Sequence, residues 1–421
     1  MRDTDTTLRV SAAADQTAVR RAHLGLVLRR LRDHGPRSRA RLAAELGLTR
    51  AAASSLVGEL EVRNLVRRGA PERGGVGRPG TAVELHGGRV CGVGAEINVD
   101  HVAVLAVDLA GDVVAEARRG LDTRRIEPAD VFDELAGMLQ EALAEVGASG
   151  SVLAGITVGV AGLVDAEAGV VTLAPNLGWR DLSIAPALSD RLGVGAPPIH
   201  LDNEANLAAI AEIDPTDPDR DDMLVLFGEV GVGGGVVANG QLLRGRHGWA
   251  GEFGHMIVEP RGRACGCGRV GCWETVIGLR ALLGAATDPD DPIRDPSLTL
   301  EDRLARLAER ARRGDTRTLA ALHQVGGWLG TGAAALVNAL NPGVVVLSGY
   351  FAVVGPWLVP AVEEQLVLGV LAPRAGGTRV ALSTLGPTAA VRGAALVSLE
   401  SVFTDPTRIS PVADIENGAG R

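Results

Sequence analysis

Apolar residues near the start of the chain recur with the period of an α-helix. They fall three and four residues apart, on one helical face: Leu24, Val27, Leu28 and Leu31. Gly35 and Pro36 follow and provide a helix stop. The pattern therefore predicts an amphipathic helix that begins near Val19 and buries one side.

Two shorter helices are predicted next, with a turn between them. Ser38 is an N-cap candidate for a helix through Leu46, and Thr49 can cap a second helix to about Leu60. Gly47 permits the sharp turn that joins them. This is the helix-turn-helix pattern, whose second helix enters the DNA major groove. The predicted shared core is Leu42, Ala43, Leu46, Leu48, Ala53 and Leu56.

A wing is predicted after the second helix. Residues 65–68 and 81–85 read as strands on either side of a loop rich in Gly and Arg. Side chains at the start of the second helix could reach base edges, and the loop arginines could contact phosphates or a narrow minor groove. The candidate DNA contacts are Arg39, Thr49, Arg50, Ser54, Ser55, Arg73 and Arg78. The alternative is a charged three-helix adaptor with a flexible linker.

From Val90 onward the pattern changes to strands that alternate with helices. A strand pair closed at Gly111 leads to a helix over 128–146 and a further apolar strand. The order restarts at Met223 and continues to a helix around 328–340, which could be a dimer face or core. Two matching halves predict an α/β domain of two similar lobes with a ligand cleft between them.

The predicted domain boundaries follow from these changes of pattern. The winged helix-turn-helix domain spans 18–89 and the two-lobed domain spans 90–405. Lobe one takes 90–200 and 386–405, and lobe two takes 201–385. Residues 1–17 and 406–421 are predicted tails.

Charge and composition narrow the function class. Every basic residue is Arg; residues 1–90 carry a net charge of +8 and residues 91–421 a net charge of -17. A basic head on an acidic domain suggests that the head binds a polyanion. The polar start of the chain lacks a signal-peptide core, and the uncharged stretch 344–362 is broken by Gly and Pro. We therefore expect a strand, a turn and a helix start there, in a soluble, cytoplasmic protein.

The strongest chemical signal is a group of three cysteines. Cys265, Cys267 and Cys272 lie within eight residues, and His255 lies ten positions before the first of them. A Cys₃His set is typical of a tetrahedral structural zinc site. The alternatives are three buried thiols without metal or a redox pair, although no Cys-x-x-Cys is present. Structural Zn²⁺ is the expected cofactor, and Cys91 is expected in a strand core.

These residues resemble the ROK family of repressors and sugar kinases over 19–402. The most specific match runs from Gly251 to Glu274, supported by the Gly-rich segment 231–235. The helix-turn-helix and the wing resemble the repressor branch, and the phrases at 94–104, 202–209 and 228–235 resemble its xylose-repressor subgroup. The resemblance implies an actin-like, two-lobed sugar-kinase fold after the winged helix-turn-helix.

The resemblance also implies a sugar site. Amide and carboxylate side chains surround a sugar in the family because its hydroxyls both donate and accept hydrogen bonds. The positions that match are Asn176, Asn203, Glu204, Glu252, His255 and Glu274.

Three departures from the kinase pattern favour a sensor over an enzyme. Glu204 stands where family kinases have an Asp base, and its longer side chain displaces the carboxylate. The first phosphate loop lacks its Gly and Thr, because residues 96–100 read Glu-Ile-Asn-Val-Asp. Glu229 and Val230 replace the Gly-Thr that opens the second loop. The alternative is an ATP-dependent sugar kinase with an appended DNA-binding domain.

The resulting hypothesis is a repressor of sugar-uptake or catabolism genes. We expect a homodimer or tetramer that grips a palindromic operator and binds a sugar, xylose or another mono- or oligosaccharide. Sugar binding would change the closure of the lobes and lower operator affinity. No membrane partner is expected.

Overall fold

The computed structural model describes residues 16–71, 81–295, 298–372 and 377–412. These residues form two compact units: the smaller holds the described residues up to Arg89 and from Glu400 onward, and the larger is Val90–Leu399. The sequence predicts instead that the two-lobed domain runs to 405 and that a tail begins at 406. Residues 400–412 group with the N-terminal unit.

The smaller unit has the winged helix-turn-helix fold that the sequence predicts. Ser38 and Thr49 both cap helices, since their hydroxyls accept from the backbone N–H of Arg41 at 3.4 Å and of Ala52 at 3.1 Å. Gly47 has a φ of +66° in the turn. The sheet order is β1-β3-β2. The elements are α1 (Gln16–His34), β1 (Arg37–Ser38), α2 (Arg39–Glu45), α3 (Arg50–Val62), β2 (Val66–Pro71) and β3 (Thr81–Leu85).

The core of the smaller unit follows the predicted helical period. The four apolar residues of the predicted face of α1 are all buried, as are Leu42, Ala43, Ala53 and Leu56. Leu46 and Leu48, at the turn, are only partly buried. The buried faces of α2 and α3, more than the residues of the turn itself, therefore fix the conformation of the turn.

The C-terminal residues complete the smaller unit. Arg21 pairs with Asp405 at 3.3 Å, and the guanidinium of Arg32 lies 4.7 Å from the centre of the Phe403 ring. Arg63 donates to the carbonyl of Ile409 at 2.9 Å. These contacts join residues more than 340 positions apart, so no local sequence pattern indicates them. They explain why the predicted tail belongs to this unit.

The larger unit alternates strands and helices. Its strands are β4 (Val90–Ile97), β5 (His101–Asp108), β6 (Val113–Gly120), β7 (Val152–Val160), β8 (Leu163–Asp165), β9 (Val170–Ala174), β10 (Trp179–Ser183), β11 (Ile199–Asn203), β12 (Met223–Gly228), β13 (Val232–Ala238), β14 (Gln241–Leu242), β15 (Val344–Gly349) and β16 (Arg379–Leu382). Its helices are α4 (Pro128–Ala148), α5 (Ala185–Leu192), α6 (Glu204–Ala211), α7 (Glu274–Ile277), α8 (Leu279–Ala286), α9 (Leu300–Arg312), α10 (Thr316–Leu340), α11 (Tyr350–Val353), α12 (Gly355–Gly369) and α13 (Ala389–Thr404).

The two halves of the larger unit share one sheet topology. The first sheet has the order β11-β7-β4-β5-β6 and the second has the order β14-β13-β12-β15-β16. In each, an antiparallel meander of three strands is extended by two parallel strands beside its first strand. The predicted two-lobed fold is confirmed. A small sheet, β10-β9-β8, was not predicted.

Glycines of β13 allow α6 to pack directly on the second sheet. A Cβ added to Gly233 would lie 2.6 Å from the Cβ of Ala205, and one added to Gly235 would collide with Ala209. Two alanines facing two glycines bring the helix close to the strand. The Gly-rich segment therefore has a packing role, and it fixes α6, which carries part of the site described below.

Two further predictions concern the second half. The uncharged stretch forms β15, α11 and the start of α12, as predicted. Helix α10 packs against α12 and buries Leu329, Ala333 and Val337, so the core alternative accounts for much of it. Among the described residues, no helix combines the length and apolar character that crossing a bilayer requires.

Candidate functional site

A cavity of about 390 Å³ in the larger unit brings the predicted sugar residues together. It lies beside the N-terminus of α6, the turn between β12 and β13, and the cysteine-rich loop. Its wall includes all six: Asn176, Asn203, Glu204, Glu252, His255 and Glu274.

Asn176 and Glu274 form one side of the cavity. The amide Nδ2 of Asn176 donates to Oε2 of Glu274 at 3.5 Å. Glu274 begins α7, so its backbone is held by a short helix. A Cβ on Gly231 would collide with Nδ2 of Asn176, so a side chain there would displace this amide. The pair presents an amide and a carboxylate at one wall.

Asn203 and Glu204 stand at the start of α6. Asn203 caps this helix: Oδ1 accepts from the backbone N–H of Ala205 and Asn206, and Nδ2 donates to the carbonyl of Gly162 at 2.9 Å. One amide hydrogen of Asn203 remains for a ligand. Oε2 of Glu204 is buried and has no hydrogen-bond partner among the described residues. Burial, together with nearby Glu96, Glu252 and Glu229, raises the pKa of Glu204 well above its ordinary value.

The cysteine-rich loop gathers four metal-type donors. One donor atom each from His255, Cys265, Cys267 and Cys272 lies within 4.8 Å of the others. The Sγ atoms of Cys267 and Cys272 are 3.6 Å apart, as are Sγ of Cys265 and Nδ1 of His255. Three thiols and an imidazole at this spacing fit a tetrahedral metal site. The sequence-predicted ligands therefore form one cluster that could bind a metal.

The cluster also touches the cavity wall. Sγ of Cys265 lies 2.8 Å from Oε1 of Glu274, and burial raises the pKa of this thiol, which favours an S–H donor. Nε2 of His255 lies 3.8 Å from Oε2 of Glu252. Burial also raises the pKa of Glu252. Two cavity carboxylates are thus neighbours of two candidate metal ligands.

The cavity contains residues that the sequence did not single out as ligand contacts. Trp249 is 41% exposed and is oriented by a hydrogen bond from its indole N–H to the carbonyl of Val164 at 3.1 Å. An oriented aromatic face can pack against the apolar face of a ligand. Arg269 and Asn98 also line the wall. No local sequence pattern indicates that these residues contact a ligand, because each lies in a loop that reaches the cavity only in the folded chain.

The loop after β4 is closed by its own side chains. Asn98 donates to Oε1 of Glu96 at 3.0 Å, and its Oδ1 accepts from the backbone N–H of Val99 at 2.7 Å. Glu96 is buried, 3.5 Å from Nε2 of His101. Burial alone would lower the pKa of His101. Its contacts with Asp100 and Glu96 outweigh burial and raise this pKa to about 10. Burial raises the pKa of Glu229 to about 8.

The candidate DNA contacts in the smaller unit differ in their exposure and in whether their side chains already have partners. Arg50 and Ser54 are exposed on the first turns of α3, while Thr49 is an exposed cap. Ser55 accepts from Arg20 at 3.2 Å. Nη2 of Arg39 donates to both carboxylate oxygens of Glu61, at 2.8 Å each, so Arg39 is already paired within the unit. Arg73 and Arg78 lie outside the described residues.

Comparison with known proteins agrees with both units. The model of the ROK family matches residues 92–400, and that of the MarR family matches residues 25–75. The xylose repressor of Bacillus subtilis (strain 168) is 28% identical over 92% of this chain and 97% of its own length.

An enzyme is also among the relatives. A glucokinase of Halalkalibacterium halodurans is 31% identical over 72% of this chain and 92% of its own length.

The crystal structure of a ROK family transcriptional regulator, a homologue of the E. coli MLC protein, has a TM-score of 0.71 and 24% identity, covering 92% of this chain and 97% of that one. This structure shares the fold.

Proposed function

The chain belongs to the ROK family, and we propose that it is a sugar-responsive transcriptional repressor without kinase activity. One observation carries the proposal: a cavity walled by six sugar-type polar residues belongs to the same chain as a winged helix-turn-helix unit. An enzyme needs only the first of these, whereas a sensor needs both. The xylose repressor relative aligns over 92% of the chain, against 72% for the glucokinase.

The DNA-binding role rests on α3. Its first turns expose Arg50 and Ser54, and the side chain of Thr49 fixes where the helix starts. A helix entering the major groove by its N-terminal end would present these side chains to base edges. We expect Arg50 to supply the main base contact and the wing arginines to supply phosphate contacts.

The sugar role rests on the chemistry of the cavity wall. Carboxyl groups accept from ligand hydroxyls, amides both donate and accept, and Trp249 offers an apolar face. Four of the wall residues are glutamates: Glu204, Glu229, Glu252 and Glu274. Carboxyl groups, whether ionised or protonated, suit hydroxyls better than they suit a phosphate or carboxylate group, so the proposed effector is a neutral saccharide.

The proposed cofactor is structural zinc on the Cys₃His cluster. When bound, it would rigidify the loop that carries the cavity wall and require Cys265 as a thiolate. A thiolate does not donate, so Oε1 of Glu274 would be released from its present partner. The carboxylate would then be available to a sugar hydroxyl. His255, bound through Nδ1, would keep Nε2–H for Glu252 or the ligand.

The absence of kinase activity is proposed from the groups where nucleotide phosphates would bind in a kinase. Two buried carboxylates, Glu96 and Glu229, occupy the two loops that match the phosphate loops. The N–H of Val99 is already engaged by Asn98. Despite burial, the neighbouring His101 lowers the pKa of Glu96 and so keeps a negative charge in the first loop. This charge and the occupied donor disfavour a triphosphate. The raised pKa of Glu204 favours its neutral acid, whereas a base must start ionised.

Isothermal titration tests the sensor against the kinase. Neutral pentoses and hexoses would be titrated into the protein, followed by a magnesium complex of a non-hydrolysable ATP analogue. The proposal expects saturable heat from at least one sugar and none from the nucleotide. Saturable nucleotide binding that strengthens with sugar would favour the kinase instead.

A further inference from the structure

A second group of possible metal ligands lies apart from the cysteine cluster. It contains Asp100, His101 and Glu229, with one donor atom of each within 4.8 Å of the others. Asp100 and His101 are neighbours at the start of β5, whereas Glu229 follows β12 in the other sheet. The hairpin and the second sheet therefore bring together donors 128 positions apart.

Unpartnered buried atoms mark this group as a ligand site. Both carboxylate oxygens of Glu229 are buried without a hydrogen-bond partner among the described residues, and Glu229 is only 2% exposed. Oε2 of Glu96 is in the same condition, whereas Nε2 of His101 has only a 3.5 Å ion-pair contact, with Oε1 of Glu96. Buried polar atoms are ordinarily paired, so three unpartnered carboxylate oxygens in one place call for a bound group.

Charge and spacing identify the kind of group. A metal-bound imidazole is neutral, so a cation would replace the proton that His101 holds between Asp100 and Glu96. With His101 neutral, the ionised forms of Glu96, Asp100 and Glu229 carry three negative charges against one positive charge on Arg118. A divalent cation would balance the difference. Oδ1 of Asp100 and Nδ1 of His101 are 3.0 Å apart in a hydrogen bond that a cation would replace. Adjacent ligands around an octahedral ion with bonds of about 2.1 Å have the same separation, so the two atoms would need little movement.

The surrounding contacts are compatible with a bound ion. Nε2 of His101 faces Oε1 of Glu96 at 3.5 Å, an arrangement in which a carboxylate orients a metal-bound imidazole through its other nitrogen. Arg118 lies 3.3 Å from Nδ1 of His101 and is the opposing charge that remains when His101 is neutral, but it is also paired with Glu301 at 3.1 Å. The Glu301 contact can hold Arg118 once a cation takes Nδ1.

We propose that Asp100, His101 and Glu229 form a divalent-cation site that is separate from the cysteine cluster. One imidazole and two carboxylates suit Mn²⁺ or Fe²⁺, whereas three thiolates select Zn²⁺. Val99 lines both the sugar cavity and a neighbouring cavity of about 370 Å³, which Asp100 also lines. The ion would therefore stiffen the wall that the two cavities share.

Titration with MnCl₂ of the zinc-loaded protein tests the site, with free Mn²⁺ followed by electron paramagnetic resonance. We expect one Mn²⁺ per chain, and at least tenfold weaker binding in Glu229→Gln and in Asp100→Asn. Asp100 is partly exposed, so its variant should fold even if the buried one does not. Asp122→Asn is the matched control, because Asp122 lines the neighbouring cavity outside the donor group and should leave Mn²⁺ binding unchanged.

Two results would overturn the proposal. One is a wild-type protein that binds no Mn²⁺. The other is binding that is equal in wild type, Glu229→Gln and Asp100→Asn, which would place the ion elsewhere. Mn²⁺ binding that survives in Cys267→Ser would support a site independent of the thiols, and its loss there would count against the proposal.

Discussion

The thiol of Cys265 lies 2.8 Å from the carboxylate of Glu274. This contact joins the cysteine cluster to the cavity wall through a single hydrogen bond. The same carboxylate also accepts from Asn176. Any change in the state of the thiol therefore changes what Glu274 can offer to a ligand.

Removing one sulfur donor should release the metal. We expect Cys267→Ser to lose most of its zinc and to melt about 5 °C or more below wild type, since the loop would lose its crosslink. Zinc content by mass spectrometry and thermal unfolding are the measurements. Cys91→Ala, a buried thiol in β4 outside the cluster, should keep its zinc. Full zinc content and unchanged melting in Cys267→Ser would argue against a structural metal.

Chelation should weaken sugar binding even where the protein stays folded. Without metal, the Cys265 thiol occupies Oε1 of Glu274, and the ligand must compete with it. Sugar titrations before and after zinc removal should differ by about tenfold, which corresponds to one hydrogen bond to a charged group. Circular dichroism would establish that the stripped protein is folded. Equal sugar affinity in both states would separate the metal from the cavity.

Glu274→Gln should abolish the sugar response while leaving DNA binding in place. The amide keeps the shape of the side chain but gives up the charge and half of the accepting capacity. Binding to a DNA fragment selected from a random library should remain within about twofold of wild type, because the substitution lies in the larger unit. Zinc content serves as the control for an indirect effect on the loop. A normal sugar response in this variant would remove Glu274 from the site.

The winged helix-turn-helix was predictable because its signals are local. Ser38 and Thr49 are N-cap residues directly before the two helices, and Gly47 lies in the turn between them. The repeat of strand, hairpin and helix likewise revealed two lobes. The proposed sugar residues came from motifs that match a family, and folding brings them to one cavity.

Contacts between distant segments could not be predicted in this way. Glu229 and His101 come from different sheets, and only the pairing of the lobes places them together. The same holds for Phe403 beside Arg32, which moves the C-terminal residues into the smaller unit. In both cases the sequence shows the residue types but carries no periodicity that links them.

Arg50→Ala should weaken binding to the selected DNA by about tenfold and relax preference at one base position, as loss of a base contact does. Fluorescence anisotropy at two or more salt concentrations would measure this. Arg39→Ala should have a smaller effect on DNA affinity, because Arg39 is already paired with Glu61. Sugar affinity should be unchanged in both. Equal loss of sugar and DNA binding would contradict two separable units.

Matched glycine substitutions test the packing of α6. Gly235→Ala should destabilise the protein by about 1–3 kcal/mol, because the added methyl group meets Ala209. Gly284→Ala should be neutral or stabilising by up to about 1 kcal/mol, since that position is helical and its Cβ meets open space. Urea unfolding would compare the two. Similar losses in both variants would show that the close approach of α6 does not matter.

The most direct test follows DNA release and nucleotide hydrolysis in one sample. Labelled operator DNA, the protein, Mg-ATP and each neutral sugar would be mixed, with anisotropy and ADP measured together. The account predicts that at least one sugar weakens operator binding, by about 5- to 150-fold, while ADP stays at the level without protein. Sugar-dependent ADP formation that disappears in Glu204→Gln, or operator binding that no sugar changes, would contradict it.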